Sequence, residues 1–441
     1  MRPTFLLAGA LVVAGLPVSP ARGEDLAKIL TTFFSPENPV ILVASTNPAF
    51  PSHAAHFRSQ AAAQGVLRQL NAGIATQIST FPIGSSSAGF TYTFDEGLGV
   101  YNRTTESLGP IFTERPLTAG KGKFTFGVNY QDATWDSFEG KSLEGGDIKL
   151  FLTHEDTNRD GTPVSLFFEG DLIGATLRLN VETKTTVAYA NYGLTERFDV
   201  SLAVPFQDVS LNADIDLDIE RVATGASSGI HQFEGGALTS TTSKGGTASG
   251  IGDILLRGKY NFLRRDRGSL AAFVDLRLPT GDEANLLGSG ATQTRLSLVA
   301  GGGKGPFSPR GSLGYTLSSG GSEFTGDLPN EIYYTAGFDL VFHPRVTVTA
   351  DFIGRTLLDA ETLGERQAVY RFTNQGNPAV LETTRAELVS TTGNLPLLLG
   401  SAGIKINPVG RLLIVGNVLF KIGDRGLQDK LMPTFGIGYT F

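Results

Sequence analysis

Asp156, Asn158 and Asp160, followed by Gly161, have the spacing at which alternate side-chain oxygens converge on a calcium ion while the glycine allows a sharp turn. The position where such a loop needs a bidentate glutamate is Phe167, so Glu155 or Glu169 would have to complete the shell. Without an ion the same residues form an Asx-rich turn. Calcium in a surface loop is thus the one cofactor expectation. The five histidines, His53, His56, His154, His231 and His343, come with no nucleophile motif, and the chain reads as a non-enzyme. His53 and His56, three apart, fit a helix-surface pair better than a metal site. Asp208, Asp214, Asp216, Asp218 and Glu220 form an acidic row, either a cation site or, more plainly, a solvated extension at an outer mouth.

A further set of charges mixes its signs: Arg178, Glu182, Lys184, Asp253, Arg257, Lys259, Asp275, Arg277, Arg295, Asp351 and Arg355. Each lies opposite an apolar face in a segment where hydrophobic and polar residues alternate. Leu177, Leu179, Val181, Val187 and Tyr189 oppose Arg178, Glu182 and Lys184. Leu256, Tyr260 and Phe262 oppose Asp253, Arg257 and Lys259. Segments of about ten residues with this pattern, separated by Gly, Pro, Asn and Asp clusters, are the signature of strands that cross a membrane. In a lipid-embedded barrel the apolar face turns outward and these charges face the lumen. Mixed signs there make salt bridges that stiffen the wall or hold a plug, not a one-sign selectivity ring.

Composition narrows the class. Of 441 residues, Gly supplies 55, Phe 29 and Tyr 11, with no Cys and only 18% charged, which is too apolar and aromatic for disorder. The lack of Cys excludes thiol nucleophiles, Cys-ligated zinc and iron–sulfur clusters. The net charge of -7 offers no basic surface for a phosphate backbone, so nucleic acid is not a partner. Residues 1–23 read as a signal peptide: Arg2, an apolar core from Phe5 to Leu16, and Ala21 and Gly23 at the cleavage positions. Their removal leaves 34 basic and 43 acidic residues and a charge of -9. No later stretch reaches the roughly 18 apolar residues of a transmembrane helix, so membrane entry requires strands.

Counted back from Phe441, the strands fall at 431–441, 411–422, 396–407, 346–358, 331–342, 310–319, 292–302, 269–279, 250–263, 197–219, 172–192 and 122–134. That is an antiparallel all-β transmembrane barrel of twelve strands over 121–441. Fourteen is the alternative if 146–156 and 163–170 join it. Short connections at 193–196, 264–268, 343–345 and 407–410 alternate with long ones at 220–249, 280–292 and 359–395, as periplasmic turns and outer loops do. Aromatics near the short turns, Phe124, Tyr189, Phe198, Tyr260, Phe262, Phe342, Tyr439 and Phe441, form an expected interfacial girdle. The terminal Phe441 on an alternating strand resembles the signal read by the barrel assembly machinery. Within 197–219 the apolar residues are even-numbered up to Phe206 and odd-numbered from Val209, so continuity of faces predicts a β-bulge near Gln207.

Residues 24–120 break the pattern: an Ala-rich amphipathic helix over 52–70, then Phe90–Phe94 with Asp95–Gly99 as a small hairpin. This segment is expected to plug the lumen, with a periplasmic position as the alternative. Finally, Tyr192-Gly-Leu-Thr-Glu-Arg-Phe-Asp-Val-Ser-Leu-Ala-Val-Pro205, Gly250-Ile-Gly-Asp-Ile-Leu-Leu-Arg-Gly-Lys-Tyr260 and Leu276-Arg-Leu-Pro-Thr-Gly-Asp282 resemble the outer-membrane family of meta-pathway phenol degradation transporters. Asn47-Pro-Ala49 echoes a tripeptide of fatty-acid transporter plugs. The resemblance implies a bacterial outer-membrane barrel, bathed in lipid, that takes up hydrophobic small molecules. A structural barrel that transports nothing, or a general porin, is the competing expectation.

Overall fold

The computed structural model describes residues 25–34, 40, 42–43, 57–59, 61–85, 89–95, 97–98, 100–154, 170–221, 230–265, 268–303, 305–374 and 377–441. Twelve antiparallel strands form its wall: β1 Phe124–Trp135, β2 Leu172–Gly193, β3 Phe198–Glu220, β4 Ile254–Arg265, β5 Gly268–Leu278, β6 Ala291–Gly301, β7 Phe307–Ser322, β8 Glu331–His343, β9 Val346–Asn374, β10 Asn377–Ile406, β11 Leu412–Lys421 and β12 Leu431–Thr440. Each pairs with the next, and β12 pairs with β1 from Thr434↔Gln131 to Thr440↔Thr125, which closes the ring and leaves the sheet no edge at that level. The order and number match the sequence expectation of twelve. The strand Ile148–His154 does not enter the ring; it pairs with the far half of β2, beyond the point where β1 ends.

An apolar belt encircles the barrel. Leu296, Leu298, Leu313, Leu317, Leu431 and Phe435 are between 58% and 63% exposed, an outward display that only lipid satisfies. Towards the end with the short turns, Phe124, Tyr260, Phe262, Phe342, Tyr439 and Phe441 are exposed as the expected girdle. Tyr189 is not part of it. Its ring lies on the inner wall over Gly127, where a Cβ would come within 2.5 Å of the ring.

Beyond the belt the wall continues. At about 3.3 Å per residue, the 22 residues of β2 and 23 of β3 are roughly twice the length that crosses the hydrocarbon. Two segments expected as loops prove to be strands here. Thr239–Ile251 pairs with 206–218 of β3, and β9 and β10 run on as one hairpin to Asn374 and from Asn377. The first was invisible as a strand because its Thr, Ser and Gly residues do not alternate in polarity. Its hydroxyls bond to the acidic row instead: Thr241 donates to Asp216 at 2.8 Å and Ser243 to Asp214 at 2.5 Å.

The bulge predicted near Gln207 is absent. The β2–β3 register is unbroken from Leu172↔Glu220 to Gly193↔Asp199, and the odd-numbered side of β3 is buried along the entire strand. The polarity of the faces switches because the surroundings switch. In the belt the even residues meet lipid. Further out, odd-numbered Val209, Leu211, Ala213, Ile215 and Leu217 face an apolar core and the even aspartates face water. The same reasoning corrects β2. Leu177, Leu179 and Val181 are fully buried inside, whereas Arg178, Glu182 and Lys184 point outward and are not lumen residues. Arg178 reaches Asp216 on that outer surface at 2.5 Å.

What the outer wall encloses is the N-terminal helix. Helix α1 spans Ala61–Ser79, later than the 52–70 expected, and a short strand Phe57–Ser59 precedes it on Ile148–His154. Its Val66, Leu67, Leu70 and Ile74 join Leu26, Ile29 and Leu30 and the inward residues of β2 and β3 in one core. The helix ends where Ser79 and Thr80 turn their hydroxyls back to the carbonyls of Ala75 and Thr76, at 2.7 and 2.6 Å, just before Phe81-Pro82, a pair that resists helical geometry. The β9–β10 hairpin is strapped to the opposite wall by ion pairs of Arg385 with Glu220 and Lys141 with Glu365, and by Tyr370 stacked against Phe151. Burial and the Glu387 carboxylate to which it donates push the Tyr370 hydroxyl above its usual range.

Candidate functional site

From Ser79 the chain descends into the barrel, emerges at the short-turn end as the hairpin Tyr92–Asp95 with Val100–Arg103, and returns through the lumen over 107–119. The inner wall grips it at successive levels. Arg277 donates to the Ser79 carbonyl at 2.8 Å, and Arg355 to the Thr80 carbonyl at 2.9 Å. Glu114 pairs with both Arg257 and Lys259, and Arg257 also forks onto Asp275 with bonds of 2.6 and 2.7 Å. Asp351 accepts from the Phe112 amide at 3.2 Å, Asp339 accepts from Ser107 at 2.5 Å, and Arg310 bridges these two carboxylates. Lower still, Asn261 donates to the Pro116 carbonyl at 2.8 Å and Asp199 accepts from the Ala119 amide at 2.9 Å. Lys405 donates to the Pro110 carbonyl.

These are charge-assisted bonds in a poorly solvated interior, each stronger than its surface counterpart and each lost at considerable cost if one partner is removed. They come from strands β3 to β10. The remaining third of the wall, β1, β2, β11 and β12, borders two of the cavities. One cavity lies between Ile78, Phe81, Ile111 and Phe112 of the internal segment and Trp135, Val187 and Val415 of the wall. A second continues towards the short-turn end past Ser85, Tyr189, Leu413 and Thr440. The two share Ile111, Asn129 and Val415, which lie between them. A third space lies on the charged side, under Arg257, Arg295 and Arg355, and shares Pro82, Ile83, Phe112 and Arg277 with the first.

Of the residues singled out in the sequence, Asp253, Arg257, Lys259, Asp275, Arg277, Arg295, Asp351 and Arg355 lie on the inner wall, and Arg178, Glu182 and Lys184 do not. Asp253 holds the 280–290 loop in place, accepting from the Gly281 and Ser289 amides at 3.1 and 2.9 Å. Glu331, which bonds to Arg295 and Arg355 at 2.7 Å each, belongs to the same network, as do Arg310, Asp339 and Lys405. All four sit on strands that the alternation had located, so their inward face was readable. Glu114 was not, because its segment has no periodicity.

The acidic row is solvated on the outer wall. His154 and His231 meet in the buried interior with ring centres 4.9 Å apart, Phe57 against both, and His231 bonded to Asp171 at 2.9 Å. His343 accepts from the Arg345 amide in a short turn. The calcium motif at Asp156, Asn158 and Asp160, and His53 and His56, lie outside the described residues.

A closed barrel with an apolar outer belt, an aromatic girdle and a polar interior defines the class: a β-barrel protein of the bacterial outer membrane. No family model and no curated relative matches the sequence. Among solved structures, the chain is similar to an outer-membrane channel from Pseudomonas putida F1, at 12% identity over 74% of this chain and 98% of that one, with a TM-score of 0.43. It is also similar to a FadL homologue of Pseudomonas aeruginosa (12% identity, 74% and 92% covered, TM-score 0.31) and to the monoaromatic hydrocarbon channel CymD (13%, 73% and 89%, 0.27). These are likenesses of barrel architecture.

Proposed function

We propose that the protein passes small hydrophobic solutes across the outer membrane along the gap between its internal segment and strands β1, β2, β11 and β12. The observation that carries this is the asymmetry of the lumen: ion pairs and hydrogen bonds fix the segment to β3–β10 around a charged cavity, while the opposite side keeps two consecutive cavities in which Phe81, Ile111, Phe112, Val187, Leu413 and Val415 alternate with uncharged polar side chains such as Asn129, Gln131 and Thr185. Such cavities suit solutes that gain from leaving water, and a few polar groups at their rims orient them. The motifs at 192–205, 250–260 and 276–282, which resemble those of the meta-pathway phenol degradation transporters, support the same solute class.

Ile111 is the place to test it. In cells whose outer membrane excludes hydrophobic dyes, the full-length protein should speed entry of phenylnaphthylamine. Ile111→Trp should return entry to the rate without the protein, and Ile111→Ala should raise it. Dye entry indifferent to the protein and to both substitutions would leave a structural barrel as the better description.

A further inference from the structure

Five guanidinium groups project from the inner wall at mid-barrel, and four of them hold carboxylates: Arg257 with Asp275 and Glu114, Arg295 with Glu331, Arg310 with Asp339 and Asp351, and Arg355 with Glu331. Arg277 is the exception. It is 7% exposed, its one hydrogen bond among the described residues is the donation to the Ser79 carbonyl, and Asp253 makes no ion pair with it, accepting instead from the amides of Gly281 and Ser289 and the Ser289 hydroxyl. A guanidinium carries five N–H donors, so most of those of Arg277 remain to be satisfied, and the side chain lines both the apolar cavity and the charged one beside it. Asp253 and Glu331 lend opposite charge from nearby without pairing directly, so a guanidinium that faces a cavity with donors to spare suits an anion that enters.

We infer that the apolar cavity is a binding site for a small aromatic carboxylate, with Arg277 taking the carboxylate and the ring lying among Phe81, Phe112 and Trp135. The inference rests on the transport reading and narrows its solute class. The ring is argued from the lining: Phe81 and Trp135 already meet edge to face at 5.4 Å, an arrangement that readily accepts a further ring. A planar carboxylate also matches the fork of donors on arginine in a way a point charge does not. The Trp135 indole is fixed by its own bond to Thr183 at 3.2 Å, so the ring among which the solute lies does not have to be ordered on binding.

The chain has one tryptophan, Trp135, which makes the site self-reporting. Nitroaromatics quench indole fluorescence, so the full-length protein in detergent micelles can be titrated with para-nitrobenzoate and with its neutral counterpart para-nitrobenzyl alcohol. Free N-acetyltryptophanamide in the same micelles corrects for collisional quenching. Para-nitrobenzoate should quench at a concentration about tenfold lower than the alcohol. Arg277→Gln should abolish that preference while leaving the alcohol's own titration in place, which also shows that the variant is folded. Arg277→Lys, which keeps the charge but not the fork, should retain part of the preference. Equal titration of the two compounds in the wild type, or a preference that survives Arg277→Gln, overturns the inference and leaves the transport of neutral solutes standing. Saturable quenching by neither compound overturns both.

Discussion

Strand β3 has two halves that share one backbone register and reverse their chemistry. Near the short turns its even residues, Phe198, Val200, Leu202 and Val204, look outward, and its odd residues include Asp199 and Ser201. Past Gln207 the apolar residues are the odd ones, all inward, and the even positions carry Asp208, Asp214, Asp216 and Asp218. Nothing in the backbone marks the change. What differs is the solvent on the outer face, hydrocarbon for the first half and water for the second, and the content of the interior, polar segment for the first and helix α1 for the second. A β-barrel wall is thus an inside-out protein only as far as the lipid reaches. Beyond it the wall becomes an ordinary sheet over an ordinary apolar core.

That contrast can be broken most severely by moving the register. One residue inserted after Gln207 would send Val209, Leu211, Ala213, Ile215 and Leu217 into water and the aspartates into the core, since a slip of one exchanges faces. The variant should yield no folded, heat-modifiable band on cold electrophoresis, and a variant that folds normally would argue that the outer half of β3 is not packed as described. Next in size is Ile215→Asp, which places a carboxylate at a fully buried position of the outer core. A loss of about 4 kcal/mol or more is expected in guanidinium unfolding from lipid vesicles.

Leu256→Arg, in the belt, should cost about 2–4 kcal/mol by the same measurement if it lies near the bilayer midplane. The smallest effect belongs to Asp216→Leu, an outward position of the outer wall. Its ion pair with Arg178 and the bond it accepts from Thr241 are both exposed, and the change should stay within about 1 kcal/mol. The last two sharpen the comparison together. The two exchange polarity in opposite directions on the outer face of the same barrel, so a stabilisation by Asp216→Leu comparable to the loss from Leu256→Arg would mean that lipid reaches both positions, and the expected near-neutral effect at Asp216 means that it ends between them.

The strand positions, their number and the outward side of the belt were legible because alternation over ten residues is a local signal and lipid on one face leaves it unambiguous. Leu256 and Tyr260 against Arg257 and Lys259 is such a case. On β2 the same alternation misled, since Leu177 and Arg178 tell apart two faces without saying which faces inward. The bulge at Gln207 was a sound deduction from an assumption that failed, namely that the outer face meets one medium along its length. The strand 239–251 escaped notice because partners on β3, not its own side chains, hold it extended.

From sequence alone, then, came a transmembrane barrel of twelve strands, the inward set from Asp253 to Arg355 and an aperiodic segment ahead of them. These follow from the period of the strand and from the cost of exposing backbone to lipid, which act residue by residue. Only the tertiary structure decided that the segment bonds to β3–β10 and leaves a gap along β1, β2, β11 and β12, that Glu114 is the partner of Arg257, and that Arg277 pairs with no carboxylate among the described residues. Those are matters of which of many like groups come within about 3 Å of one another, and residues 114 and 257 are joined by nothing in the chain's local physics.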